Sequence, residues 1–378
     1  MSTLDSPLQL SNVFKPKIWG RKDLSPLFLP ARPSRRGRPV PGATGLRPAP
    51  DGAELHLSGP SDPEEKIGEV WITDEASRFL NGPLAGLTLR EASEKYGPEL
   101  HGTSWPGCRF PILAKYIFTS DWLSVQVHPD DDFAREHEGG SVGKCEMWYI
   151  LRSDSGAQIL LGLKPGVTKE QLNEAAQQGR SKEMLCGFRP RTSEAIFVPP
   201  GTVHALGPGL VLFEAEENCD LTYRLDDFGR MGLDGKPRPL HWENGLEVIR
   251  TDLPAHRDLP RLEFRESYGA RRYVLACRFF AVEELQLKRL GSFTSSPERV
   301  EVLSVLEGYG RVENRAGWLG YRRGETWLIP PAAGEYRLVP TADTRLLKFY
   351  VPDLERDFRR PLARRQIRPS RVNKVVFD

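Results

Sequence analysis

Short hydrophobic segments separated by turn residues fill most of this chain, and they restrict its fold more than any other feature. Between residues 110 and 225 they include FPILAKYIF, WLSVQVH, MWYIL, AQILLGL, EAIFVPP, LVLFEAEE and DLTYRL. These segments are rich in β-branched and aromatic residues, which is typical of the strands of a β-sandwich or a β-barrel. The sequence therefore predicts a mainly β protein.

The strand pattern restarts after Arg250. The segment EAIFVPPGTVHAL at 194–206 is similar to ETWLIPPAAGEYRL at 325–338, since both run from an acid through an apolar strand and Pro-Pro to another strand. A chain of 378 residues is also too long for one small core. We therefore predict a divergent repeat of two related β-barrels, with one domain over residues 1–250 and a second over 251–378.

Two short helical insertions are indicated by capping boxes. Thr88 stands three residues before Glu91, and Thr168 stands three residues before Gln171. In such a pair the threonine and the acid or amide each satisfy a free backbone N–H at the start of a helix. Gly97 is expected to end the first helix, because glycine favours the helix terminus.

The segment near the start of the chain reads differently from the rest. FKPKIWGRKDL has no clear period and is expected to be an extended arm. Residues 31–65 are rich in Pro, Gly and Arg. Such a composition cannot bury enough apolar surface to fold alone, so we predict a loop or a partly disordered insertion.

Composition narrows the class of protein. The net charge is +2, with 28% charged and 39% hydrophobic residues, which does not favour nucleic-acid or membrane partners. The five cysteines are odd in number, are spread widely and form no CxxC pair, which argues for a reducing compartment. No signal peptide or spanning segment is evident, so we expect a cytoplasmic protein.

Polar side chains at alternate positions suggest a metal site. Gln126 and His128 share one face of a predicted strand, Lys144 and Glu146 share one face of the next, and a Pro-Gly turn precedes His204. Two imidazoles, a carboxylate and an amide oxygen suit zinc or another first-row divalent ion. A single histidine on a strand is usually structural, and a Glu close to a Lys usually forms an ion pair with it. The whole combination in this order along the chain is much harder to obtain by chance.

These motifs resemble those of the cupin superfamily, and within it the type I mannose-6-phosphate isomerases (phosphomannose isomerases). The segments that carry the resemblance span residues 14 to 250 and are FKPKIWG, NGPLAGLTL, FPILAKYI, LSVQVHPDD, GKCEMWYIL, FVPPGTVHAL, LTYRLDDFGR and RPLHWENGLEVI. The resemblance implies two cupin-type β-barrels (a bicupin). It extends to the second barrel only at the level of the fold. Glu335 stands there at the position of His204, so we expect no metal in the second domain.

The resemblance also implies residue roles. It implies one zinc ion per chain, held by Gln126, His128, Glu146 and His204. It implies that Ser124 and Lys144 bind the substrate phosphate and that Lys115 belongs to the active site. It also implies that Glu214, Arg224 and Lys144 are catalytic. Trp19 and Glu69 are expected to line the cleft.

The implied reaction interconverts mannose 6-phosphate and fructose 6-phosphate through a cis-enediol. It needs a base, a route for the hydroxyl proton and positive charge near the enediolate, and zinc can supply that charge as a Lewis acid. Lys144, Lys115 and Arg224 offer cationic donors. The group that removes the carbon-bound proton stays open among Glu214, zinc-bound hydroxide and a histidine. We expect a monomer acting on a small phosphosugar.

Two rival functions fit parts of the same pattern. A metal-dependent cupin dioxygenase usually has three histidines and one glutamate, whereas this chain has Gln126 in place of a third histidine and Lys144 nearby. A non-enzymatic sugar-binding or regulatory bicupin would need a pocket but not Glu214 with Arg224. Oxygen consumption by iron-loaded protein would favour the first rival, and substrate binding without turnover would favour the second.

Overall fold

The computed structural model describes residues 4–25, 27–28, 62 and 64–378. The insertion predicted over 31–65 lies outside the described residues, apart from residues 62, 64 and 65.

The helices are short, and both predicted capping boxes are confirmed. Thr88 accepts from the backbone N–H of Glu91, whose side chain accepts from Thr88 in return, and the helical backbone breaks at Gly97, with φ of 34°. Thr168 and Gln171 form the same reciprocal pair. The helices are α1 (Leu89–His101), α2 (Asp131–His137), α3 (Lys169–Gln177), α4 (Trp242–Val248), α5 (Arg360–Arg364) and α6 (Pro369–Val372).

Strands dominate the described chain, as the sequence predicted. The earlier strands are β1 (Leu8–Leu10), β2 (Val13–Arg21), β3 (Ile67–Trp71), β4 (Ile112–Phe118), β5 (Val125–Val127), β6 (Glu146–Ser153), β7 (Ile159–Leu163), β8 (Leu185–Phe188), β9 (Ala195–Val198), β10 (His204–Leu206), β11 (Leu210–Glu217) and β12 (Tyr223–Asp226). The later strands are β13 (Leu262–Glu266), β14 (Gly269–Ala276), β15 (Ala281–Leu287), β16 (Gly291–Thr294), β17 (Glu301–Glu307), β18 (Tyr309–Asn314), β19 (Gly317–Arg322), β20 (Thr326–Ile329), β21 (Glu335–Pro340) and β22 (Thr344–Tyr350).

The strands form two pairs of sheets, which define two halves of the molecule. The first half has a large sheet, β2-β3-β4-β11-β6-β9, and a small sheet, β12-β5-β10-β7-β8. The second half has a large sheet, β1-β20-β17-β22-β15-β14-β13, and a small sheet, β16-β21-β18-β19. The strand pairs within all four sheets are antiparallel, and β1, from near the start of the sequence, belongs to the second half.

Each half has a core between its two sheets, and a further core joins the halves. In the first half Trp148 and Leu212 of the large sheet pack in one cluster with Leu161 of the small sheet. The corresponding cluster of the second half contains residues of β15, β17, β20 and β22 with residues of β18, β19 and β21. The largest cluster joins the outer faces of the two large sheets, for example Phe213 with Phe349.

The central strand of the first large sheet explains how a cavity forms inside this half. All of β11 is buried. Alternate residues such as Phe213 and Ala215 pack between the halves, whereas Leu210 and Leu212 pack between the two sheets. Because strand side chains alternate, Glu214 and Glu216 follow Leu212 on the inner face. The apolar core therefore gives way to buried carboxylates toward the end of this strand.

The mainly β class is confirmed. None of the four sheets closes on itself within the described ranges, so each half has the form of two facing open sheets. The boundary between domains 1–250 and 251–378 stays a prediction.

Candidate metal centre

Three buried residues of the first half place their ligand atoms together. Those of His128, Glu146 and His204 all lie within 4.8 Å of one another. His128 follows β5, Glu146 begins β6 and His204 begins β10, so each comes from a different strand end. Gln126 lies directly opposite His204 across the β5–β10 pair, with 3.1 Å between Gln126 Nε2 and His204 Nε2. The four ligands implied by the resemblance therefore converge.

Both imidazoles have the protonation state that a metal ligand needs. His128 Nδ1 lies 2.9 Å from the Leu221 carbonyl oxygen, and His204 Nδ1 lies 2.9 Å from that of Thr202. Because a carbonyl oxygen only accepts, each Nδ1 carries the proton and each Nε2 keeps its lone pair. Burial lowers the pKa of His128 well below its usual value, with Lys144 adding to the effect, and lowers the pKa of His204 to about 4.

The Glu146 carboxylate completes a set of donors that fits a divalent cation. Its Oε1 atom is 3.3 Å from His204 Nε2, is buried and has no hydrogen-bond partner. Burial raises the pKa of Glu146 to about 7 against the opposing charge of Lys144, and a bound cation would favour the ionised form. A half-turn of the Gln126 amide would present its oxygen to the same point.

The surrounding charges also favour a cation. Glu146, Glu214 and Glu216 are buried carboxylates, and Lys115 and Lys144 are the buried ammonium groups that contact them. The half-exposed Asp220 adds another carboxylate, 3.1 Å from Lys115. The buried carboxyl groups outnumber the buried ammonium groups, so a divalent ion bound here would favour the ionised form of the carboxyl groups that the lysines do not neutralise.

The two lysines are fixed by carboxylates of β11. Lys115 Nζ is 3.3 Å from Glu214 and 2.8 Å from Glu216, and Lys144 Nζ is 2.8 Å from Glu216 and 2.5 Å from Glu146. The Glu216 oxygens lie at ion-pair distance without being aligned as hydrogen-bond acceptors. Glu216 was missed in the sequence, although Glu214-x-Glu216 has the same spacing of two as the other pairs.

Glu214 is the ionised member of the β11 carboxylates. Burial opposes ionisation, but Lys144 and Lys115 outweigh it and, with a 2.7 Å bond from Trp148 Nε1, lower the pKa of Glu214 to about 2. Burial instead raises the pKa of Glu216 well above its usual value, despite both lysines.

A cavity of about 200 Å³ lies over this cluster. Its lining includes eight of the sequence-predicted site residues, namely Trp19, Glu69, Lys115, Ser124, Gln126, Lys144, Glu214 and Arg224. His128, Glu146 and His204 lie beside it, in contact with Lys144 or Gln126. The structure therefore brings all eleven predicted residues to one place.

Other polar residues of the lining were not identified in the sequence. They are Lys17, Asp220, Thr222, Arg238 and His241. His241 is a wall residue whose Nδ1 accepts from the Arg224 backbone N–H at 3.0 Å. No local pattern indicated these positions, because they come from an arm and from loops that only the fold brings to the cavity.

Comparisons with known proteins agree on one family. The family model described as "Phosphomannose isomerase type I, catalytic domain" matches residues 51–141. The chain is 31% identical over 337 residues to mannose-6-phosphate isomerase ManA of Bacillus subtilis, covering 88% of this chain and 95% of that protein. It is 34% identical over 274 residues to a mannose-6-phosphate isomerase of Streptococcus mutans, covering 71% and 84%.

Solved structures extend the comparison. The crystal structure of the mannose 6-phosphate isomerase from Bacillus subtilis matches with a TM-score of 0.76 and 26% identity, covering 91% of this chain and 99% of that one. A zinc-bound mannose 6-phosphate isomerase shares the fold, with a TM-score of 0.66, 17% identity and coverage of 92% and 99%. Among the described residues, no helix has the length and apolar character needed to cross a membrane.

Proposed function

The chain belongs to the type I phosphomannose isomerase family, and from this membership we propose that it is a zinc-dependent mannose-6-phosphate isomerase, acting through a cis-enediol. The observation that carries the proposal is the convergence of two neutral imidazoles and an unpartnered carboxylate oxygen beside a cavity rich in cations. The similarity to named isomerases over nearly their whole length supports the reaction type.

We propose that Gln126, His128, Glu146 and His204 hold one zinc ion per chain. The zinc-bound state of a solved relative and the buried donor set of this chain support that metal. When bound, zinc supplies Lewis-acid stabilisation of negative charge on the substrate oxygens. Lys144 Nζ lies 3.2 Å from His128 Nε2 and 2.8 Å from Glu216, so this ammonium group is adjacent to the residues that would hold the ion.

The residues of the chain itself would handle the proton and the charge. Aldose–ketose isomerisation moves a proton from C2 to C1 and a hydroxyl proton between the adjacent oxygens. Glu214 is ionised and lines the cavity, which supports it as the group that accepts a proton from the substrate and returns it during the isomerisation. Lys144 and Arg224 would offset the negative charge of the enediolate.

The other predicted residues would bind the sugar. Lys115, Ser124 and Lys144 offer donors, Glu69 offers acceptors and Trp19 offers an apolar ring surface. Glu69 is itself held by Trp71 Nε1 at 2.7 Å and by Lys17 at 3.2 Å. These fixed side chains would orient the substrate with little loss of side-chain entropy.

We also propose that the two halves are cupin-type units and that the chain acts as a monomer in the cytoplasm. The facing large and small sheets of each half support the cupin-type units. All five cysteines are free thiols, which supports a reducing compartment.

The test is a coupled assay of fructose 6-phosphate formation from mannose 6-phosphate, with zinc-loaded, chelator-treated and zinc-restored protein. We expect activity to disappear on chelation and to return with zinc. Full activity in protein shown to be metal-free would overturn the zinc assignment. Inactivity of the zinc-loaded protein toward both phosphosugars would overturn the reaction.

A further inference from the structure

The second half has a cavity of its own, and arginines make up most of the charged groups in its wall. Its volume is about 470 Å³, which falls within the range of about 300 to 1,000 Å³ that is usual for small-ligand sites. Within the described residues the wall contains one carboxylate, that of Asp357, and five arginines, namely Arg271, Arg299, Arg356, Arg364 and Arg365.

This cavity corresponds in place to the candidate metal centre of the first half. The strand order β3-β4-β11-β6 is matched by β14-β15-β22-β17. Lys115 of β4 matches Glu283 of β15, since each faces an opposite charge on the next strand. With these two aligned, Arg271 on β14 takes the place of Glu69 on β3. The second half therefore keeps a cavity at the corresponding place, with a cation where the first half has an acid.

Arg271 is held in position by a buried carboxylate. Its Nε donates to Glu283 at 2.6 Å, and its Nη2 donates to the other oxygen of Glu283 at 2.8 Å. Burial opposes the ionisation of Glu283, but Lys348 and Arg271 outweigh it and lower the pKa of Glu283 to about 2. One edge of the guanidinium is therefore occupied, and Nη1 of Arg271 is left without a protein partner among the described residues.

Arg299 is a buried cation whose hydrogen bonds are incomplete. It takes the place of Lys144, since each stands two residues before the glutamate that begins the matching strand. Its Nη1 donates to Asp357 and its Cζ lies 4.0 Å from the centre of the Tyr350 ring, whereas its Nε is buried without a partner in the described structure. Asp357 also accepts from Arg356 Nε at 3.0 Å. The carboxylate in the wall is therefore shared by two guanidinium groups.

The C-terminal helical segment supplies the remaining arginines. Arg356 Nη1 donates to Glu298, and Arg365 Nη2 donates to Glu266. Each of these two arginines keeps further N–H groups without a partner among the described residues. Arg364, on α5, has no ion pair in the described part of the chain. Free donors from β14, the loop before β17 and the C-terminal helices therefore meet at one cavity.

These donors suit phosphate groups. A guanidinium fork matches two phosphate oxygens, and each such pairing uses two N–H groups. The N–H groups left free by the five arginines exceed what one phosphate can accept. A ligand with two phosphates would satisfy more of them, including those of the buried Arg299.

We propose that this cavity of the second half binds a small organic molecule with two phosphate groups, held by Arg271, Arg299 and Arg364. The inference goes beyond the proposed isomerase activity and does not depend on it. A cavity of about 470 Å³ accommodates a ligand of this size.

Arg368 provides a matched control for Arg364. Both are exposed arginines near the C-terminus, and neither has an ion pair within the described ranges. Arg364 lines the cavity, whereas Arg368 does not. Reversal of either charge changes the net charge of the protein by the same amount, so the pair separates binding in the cavity from general attraction to a basic surface.

The experiment is calorimetric titration of wild type, Arg364→Glu, Arg364→Lys and Arg368→Glu with fructose 1,6-bisphosphate and with ADP. We expect wild type to bind at least one of them with a Kd below about 1 mM. Arg364→Glu should weaken that binding about 10-fold or more, and Arg364→Lys should keep part of it. Arg368→Glu should match wild type. The stronger probe shows whether the cavity prefers separated or adjacent phosphates.

Arg271→Lys tests the strand side of the cavity, because it keeps a cation beside Glu283 but removes the free Nη1 group. We expect it to weaken binding about 3- to 10-fold. Thermal unfolding without ligand checks that each variant is folded, and kcat and KM for mannose 6-phosphate should stay unchanged in Arg364→Glu. Wild type that binds neither probe would overturn the inference. Equal weakening by Arg364→Glu and Arg368→Glu, or no weakening by Arg364→Glu, would do the same.

Discussion

The two halves place a glutamate at the same point of the same strand arrangement. In the first large sheet β11 pairs with β4 and β6, and in the second β22 pairs with β15 and β17. Glu146 on β6 lies opposite Val198, and Glu301 on β17 lies opposite Ile329. A Pro-Pro pair directly follows both of these partners. Each glutamate is also preceded, two residues earlier, by a cation, Lys144 or Arg299.

What surrounds the two glutamates differs. Gln126 pairs with His204 across β5 and β10, and Thr294 pairs with Glu335 across β16 and β21. Ser296 follows Thr294 at the spacing at which His128 follows Gln126, and a proline comes next in both halves. Glu335 is exposed, whereas His204 is buried. The second half therefore has a carboxylate without imidazoles around it.

The difference shows what makes a buried carboxylate ready for a metal. Glu301 accepts from Tyr336 at 3.0 Å and pairs with Lys348 at 3.2 Å, so both of its oxygens are engaged. Glu146 keeps one oxygen without a partner. Buried polar atoms are normally satisfied, and a buried carboxylate oxygen without a partner is free to bind a metal ion. This oxygen is one of the ligand atoms that we propose for zinc.

Replacing a first-half ligand by its second-half counterpart should have the largest effect. His128→Ser removes an imidazole ligand and leaves Glu146 with too few neighbours to hold zinc. We expect near-complete loss of bound zinc by elemental analysis and a fall in kcat/KM of about a thousandfold or more. Ser296→Ala in the second half is the control and should change neither. Retention of zinc by His128→Ser would contradict the assignment.

The second comparison uses two positions at which opposite charges face each other across neighbouring strands, with the lysine and the glutamate exchanged between the halves. Lys115 lies opposite Glu214 in the first half, and Glu283 lies opposite Lys348 in the second. Lys115→Met should lower kcat about 100-fold, since it removes a cation from the cavity. Lys348→Met should spare kcat but lower the free energy of unfolding by about 3 kcal/mol, because the buried Glu301 loses its 3.2 Å ion pair and keeps only the hydrogen bond from Tyr336. Denaturant unfolding and the coupled assay separate the two outcomes, and equal losses of activity would break the comparison.

Acid should weaken the first half before the second. Burial lowers the pKa of His101 to about 4, whereas an unfolded histidine titrates near 6.5. The unfolded state therefore binds more protons between these values, and the stability from neutral His101 is lost as the pH falls from 7 toward 4. From pH 7 to pH 5 this amounts to roughly 2 kcal/mol.

A His101→Gln variant should lose that much less stability between pH 7 and pH 5 in denaturant unfolding. Residues 257–378 contain no histidine. Hydrogen exchange at pH 5 should therefore show faster opening around α1 than in the second large sheet. An unchanged pH dependence in the variant would show that His101 is not held neutral by burial.

The smallest effect is expected from a single change in the opposite direction. Glu335→His gives the second half one imidazole, but Thr294 and Ser296 still offer no imidazole and Glu301 stays paired. We expect the zinc content to remain at one ion per chain by elemental analysis. A second equivalent of zinc would show that one added histidine is enough to create a zinc site in the second half.

The ligands could be predicted from the sequence because strand alternation is a local property. Gln126 and His128 share a face through the spacing of two, even though β5 covers only Val125–Val127 and His128 lies just beyond it. Capping boxes could be predicted as well, because their two residues lie only three positions apart in the sequence. The Pro-Pro repeat pointed to related halves, but the sequence did not show that each half consists of two open sheets.

Features that depend on distant parts of the chain were missed. Arg238 and His241 reach the cavity only because the loop after β12 folds back over it, and no local pattern reveals that path. Lys17 arrives on β2, a strand interrupted by a proline, which reads as an irregular arm. Glu216 is different, since its spacing was visible and only its burial between two lysines was not.

The pairing of β1 has a consequence for solubility and for the order of folding. Leu8–Leu10 lie alongside Thr326–Leu328, at the outer side of β20. Without β1, the backbone N–H and C=O groups of β20 would form an open sheet edge, which invites pairing with another molecule. The segment that covers this edge is synthesised long before the edge itself. It must therefore stay available until most of the chain has emerged, so this last pairing has a high contact order and is expected to be slow.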